Sequence, residues 1–137
     1  MPRVINPDSA GKQRTQLSKA IVLAVRELAR QKDITDQTRD LAAFIAMALQ
    51  VIADGIDVSV MAWEKRDYWI KADKFRMEWA WAGQIAEKMR ISVLEEDWAT
   101  VATLSAQIAQ NLAKVQVSEN HRLGKPWVGA YKELNRK

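Results

Sequence analysis

Three pairs of acidic residues at i, i+3 spacing are the first groups in this chain whose type and placement suit chemistry: Asp33/Asp36, Asp54/Asp57 and Glu64/Asp67. On a helix such a pair aims two carboxylates from one face, the arrangement by which all-α hydrolases hold magnesium between neighbouring helices. A magnesium-dependent hydrolase using Glu64 and Asp67, or Asp54 and Asp57, is therefore one reading. Placed on the expected elements, however, the pairs do not converge. Asp33/Asp36 falls at a helix start, where acids cap. Asp54/Asp57 points away from the apolar stripe of its helix, and Glu64/Asp67 straddles an expected break. A solvated face is the preferred reading, and no metal, cofactor or catalytic residue is expected.

Other catalytic classes fail on residue type. His121 is the only histidine, and three positions before it stands Ser118 rather than the acid of a Glu-x-x-His di-iron motif. No Gly-x-Ser-x-Gly elbow accompanies it, so a solvated or capping histidine is expected. The chain has no cysteine, which excludes disulfide scaffolds, thiolate metal sites and thiol nucleophiles. Ala10-Gly11-Lys12 lacks the earlier glycine, the hydroxyl residue and the preceding strand of a phosphate-binding loop. The expectation is a protein that binds and does not catalyse.

Binding chemistry is better represented. There are six tryptophans, and Trp63, Trp69, Trp79, Trp81 and Trp98 fall at or beside the two central helix connections. Trp79 and Trp98 lie in the main apolar stripes of their helices and are expected in the core. Trp69 and Trp81 lie off that stripe and, with Ile70, Met77 and Ile85, make a second face too apolar for a monomer surface, of the aromatic and methionine-rich kind that subunit interfaces show. A self-association face is preferred there, with burial beneath the terminal segments and a small-molecule pocket as alternatives. Trp127 and Tyr131 in the tail complete the set of interaction candidates.

The tail interleaves those two aromatics with Arg122, Lys125, Lys132 and Arg136, and the other end carries Arg3, Lys12, Arg14 and Lys19. Basic side chains neutralise phosphates and aromatics stack on bases, so nucleic-acid association through the two ends is the alternative function. The preferred reading is that Trp127 anchors the tail on the helices and the basic groups face water or the acidic middle.

The elements that would position these groups follow from apolar periodicity. Residues 1–13 hold two prolines and a glycine and read as an irregular arm, with the first helix starting at about residue 10 and running to about 32 through Leu17, Ile21, Ala24 and Leu28. Thr35 or Asp36 caps a second helix reaching Lys65, in which the poor helix former Gly55 is expected to permit close helix approach. Arg66-Asp67-Tyr68 is the expected break before a third helix ending near Ile91. Ser92 or the acidic run Glu95-Glu96-Asp97 opens a fourth, which continues to about Val117. Residues 118–127 read as an irregular crossing, and Val128 to Leu134 as a short last helix.

Four long helices with short connections predict an all-α, antiparallel four-helix bundle with irregular basic N- and C-terminal segments: one domain over 1–137, with a bundle at 14–117 and a tail at 118–137. Its 137 residues are enough to fold without disulfides or metals. The formal charge of +4 is unevenly spread, with an acidic excess over 33–113 between two basic ends. Neither a signal peptide nor a membrane span is expected, and the chain reads as a cytoplasmic homodimer with room for a further protein partner.

Overall fold

The computed structural model describes residues 7–118 and 121–136, with side chains from residue 10 onward. The fold is all-helical. The described residues form α1 (Pro7–Ala29), α2 (Asp36–Lys65), α3 (Trp69–Leu94), α4 (Trp98–Asn111) and α5 (Ala130–Asn135).

α1 begins at Pro7, so half of the expected arm is helical. α2 starts with a capping box: Thr35 Oγ1 accepts the Thr38 N–H, and the Thr35 N–H donates to Thr38 Oγ1. The same Thr38 hydroxyl donates to the Asp33 carbonyl at 2.9 Å, tying the α1–α2 connection to the helix start.

The two central breaks contain no glycine, and each is a helix ending with a left-handed acidic residue. At the end of α2 the Tyr68 N–H reaches the Trp63 carbonyl and the Asp67 N–H reaches that of Glu64, with Asp67 at φ 62°. At the end of α3 the Asp97 N–H reaches the Ser92 carbonyl and the Glu96 N–H reaches that of Val93, with Glu96 at φ 55°. Both are Schellman endings, which satisfy the last carbonyls and reverse the chain within three residues. The acidic run is therefore a turn: α3 continues through Ser92 to Leu94, and only Asp97 caps α4. α4 ends at Asn111, short of the expected 117, and the described chain is irregular from there to the last helix.

α1 packs on α2, α2 on α3 and α3 on α4, and α2 also carries α5. α2 is thus the central element. It is long and apolar enough by composition to cross a membrane, and half of its most apolar stretch is buried against the helices around it. Leu41, Ile45, Leu49 and Ile52 point into a core that draws on all five helices, with Ile21 from α1, Met89 from α3, Ile108 from α4 and Leu134 from α5. At Gly55 an added Cβ would sit 3.9 Å from the Ala10 Cβ. α1 therefore passes close here, but with room for a methyl group.

Candidate functional site

The second apolar face of α3 is real at one end and absorbed at the other. Ile70 and Met77 are 77% and 79% exposed, and Trp69 is 54% exposed. Tyr68 and, from α2, Met61 extend this surface around the helix turn. Ile85, expected on the same face, is instead buried in the core cluster. It falls at helical spacing between Ala82 and Met89, both buried, and so belongs to the core side of α3. Trp81 is half-buried, its ring stacked on Trp79 at 5.7 Å.

Trp79 and Trp98 pack against the core as expected, Trp69 stays exposed, and of the interaction candidates Trp127 is the one the core takes up. Trp79 and Trp98 are not fully buried, while Trp127 is 5% exposed and belongs to the core. Trp127 is held because the tail folds back onto α2. Asp40 on α2 accepts the Gly129 N–H at 3.0 Å and the Tyr131 N–H at 2.9 Å, so one carboxylate supplies the start of α5 with two acceptors. Tyr131 is half-buried against the core. Trp127 is therefore an anchor, not a docking residue.

Beneath the exposed residues lies a connected series of rings and cations. Lys71 Nζ sits 4.8 Å over the Trp63 ring, Trp63 meets Phe75 edge-on at 4.8 Å, and Arg14 lies 4.8 Å over Phe75 and 5.8 Å over Trp79. Three helices contribute, so the series fixes α1 and α2 to α3 on the side flanking the exposed face. Burial pushes the Arg14 pKa down, and the charge of Glu78 opposes that shift. The outer edge opens into a shallow hollow of about 1010 Å³ between Trp63, Tyr68, Trp69 and Phe75, with Lys71 and Lys74 at its rim.

A second concavity of about 430 Å³ lies between α1 and α4, where the two helices barely touch. Leu28, Ile34, Trp98 and Val101 line it, together with Ser105, whose buried Oγ has no hydrogen-bond partner among the described residues.

The other candidates are dispersed. Of the basic set, Arg3 lies outside the described residues, and Arg14 is committed to the ring series. Lys12, Arg122, Lys125, Lys132 and Arg136 are exposed. α1 meets α2 at Gly55, whereas the start of α5 meets it at Asp40, about 20 Å away along the helix. Of the acidic pairs, Asp36 approaches Arg39, Asp54 accepts from Gln50, and Glu64 is held by Arg76 at 2.8 Å. Among the described residues no group of three or more histidine or acidic side chains is placed to hold a metal ion. His121 is exposed, and its Nδ1 accepts the Leu123 N–H.

Sequence reasoning missed the roles of Arg14 and Asp40. The apolar pattern carried no trace of either, because each acts through a contact with a distant helix. Compared with family models, curated proteins and solved structures, the chain matches none.

Proposed function

We propose that the protein is a non-catalytic, self-associating helical scaffold whose working surface is the outward face of α3 and the adjoining α2–α3 turn. We read its architecture as an antiparallel four-helix bundle of α1 to α4, braced by α5. The observation that carries the proposal is the near-complete exposure of Ile70 and Met77 on a helix whose opposite side is already committed to the core. Leaving these two side chains in water forgoes roughly 1.5–3 kcal/mol each, a cost that burial against a partner removes. Lysines 71 and 74 and the acids Asp73 and Glu78 surround them, giving the polar rim that interfaces carry.

Light scattering over a concentration series tests this. The wild type associates at high micromolar concentration, and Met77→Asp shifts it to monomer. Because Met77 is 79% exposed within its own chain, the substitution leaves the fold intact by circular dichroism. A strictly monomeric wild type at those concentrations would end the proposal.

A further inference from the structure

We infer that α3 pairs in parallel with α3 of a second copy, about a two-fold axis running along the helix. This rests on the self-association reading and specifies its geometry. Ile70, Met77, Gln84 and Ile91 recur every seven residues, and all four are exposed. A seven-residue period is the one that keeps a seam facing a partner helix along its length. A single polar residue at such positions, here Gln84, favours alignment with its own copy, where the two amides satisfy each other.

Charge decides between the two directions of pairing. Beside the seam, the positions three residues on are Asp73, Ala80 and Glu87, and those four residues on are Lys74, Trp81 and Lys88. One flank is thus acidic and the other carries lysines. A two-fold along the helix sets the acidic flank of each copy against the lysine flank of the other, so Asp73 meets Lys74 and Glu87 meets Lys88. An antiparallel pair instead sets acid against acid and lysine against lysine. Asp73 and Glu87 already hold Arg76 and Arg90 of their own helix at 2.6 and 2.7 Å, but Lys74 and Lys88 have no ion-pair partner among the described residues. The parallel pair supplies the missing carboxylates. It also brings the aromatic hollows of both copies to the same end of the assembly.

The absence of cysteine makes single-cysteine crosslinking clean. In the parallel pair Ile70→Cys, or Ile91→Cys at the other end, forms a disulfide dimer with itself under mild oxidation. Antiparallel pairing separates the two thiols introduced at position 70 by on the order of 30 Å, so only a mixture of the two variants would link. Association of the wild type together with crosslinking of the cysteine variants only in the mixture overturns the parallel geometry and leaves self-association standing; a wild type that never associates removes both. Lys74→Glu weakens association about tenfold by placing two acids together, and Asp73→Lys/Lys74→Glu, which exchanges the flanks, restores it. Failure of that double exchange to restore association, with the fold intact, would also overturn the pairing.

Discussion

The guanidinium carbon of Arg14 on α1 stands 4.8 Å from the centre of the Phe75 ring on α3. The same group lies 5.8 Å from the Trp79 ring, and its Nη1 is buried without a hydrogen-bond partner among the described residues. Burial of the cation is thus offset by ring faces and by the charge of Glu78, with no ion pair to Arg14 among the described residues, and the long aliphatic stem adds packing. Arg14→Ala is expected to lower stability by about 2 kcal/mol, since it removes both contributions from the α1–α3 contact. Arg14→Lys recovers only part, because an ammonium cannot lie flat between two rings. Urea unfolding of the three proteins checks the order, and equal stability of Arg14→Ala and wild type would refute the structural role.

That contact also marks what was legible in the sequence. Helix identity was, because Leu41, Ile45 and Ile52 or Val101, Ser105 and Ile108 repeat at helical spacing and do bury that face. The breaks at 66–68 and 95–97 were only partly legible, since they rest on Asp67 and Glu96 in a conformation usually taken by glycine. The site was legible to the extent that Ile70 and Met77 have no place on the core face of α3. The anchoring of the tail by Trp127 was legible as well, but the roles of Arg14 and Asp40 were not, because they depend on which helix lies opposite, a relation that periodicity within one element does not contain.

Asp40 ties the tail to α2, and its removal isolates that effect. Asp40→Ala leaves the Gly129 and Tyr131 N–H groups without their acceptor. The loss is expected to cost about 1–2 kcal/mol, in the range of a missing helix cap. Hydrogen exchange should show it locally: amides of α5 lose protection, while those of the Leu41–Ile52 stretch of α2 change little. Unaltered protection in α5 would mean that Trp127 and Leu134 hold the segment by themselves.

Asp67 is held at φ 62°, where an L side chain meets steric cost that glycine does not. Its side chain is exposed, and it makes no ion pair among the described residues. Asp67→Gly is therefore expected to stabilise the fold by about 1 kcal/mol, net of the greater freedom glycine gives the unfolded chain. Thermal unfolding with the melting temperature as readout checks the sign. A lower melting temperature would show that the carboxylate does more at this turn than adopt its conformation.

Asp97 gives the fold an acid-sensitive joint. Its carboxylate accepts the Thr100 hydroxyl at 2.6 Å and the Thr100 N–H at 3.2 Å, and these bonds, the hydroxyl first, hold its pKa below the usual aspartate value. A carboxyl group depressed in the folded state binds protons more tightly when unfolded, so stability falls as the solution is acidified. The contribution is complete above the unfolded value, near 3.8, and disappears as the pH drops through the lower folded value. Asp97→Ala, which lacks both bonds, should accordingly melt below wild type at neutral pH. That gap should close progressively below about pH 4, provided both proteins remain folded there. A gap that persists unchanged at about pH 2.5 would assign the cap to something other than the charged carboxylate.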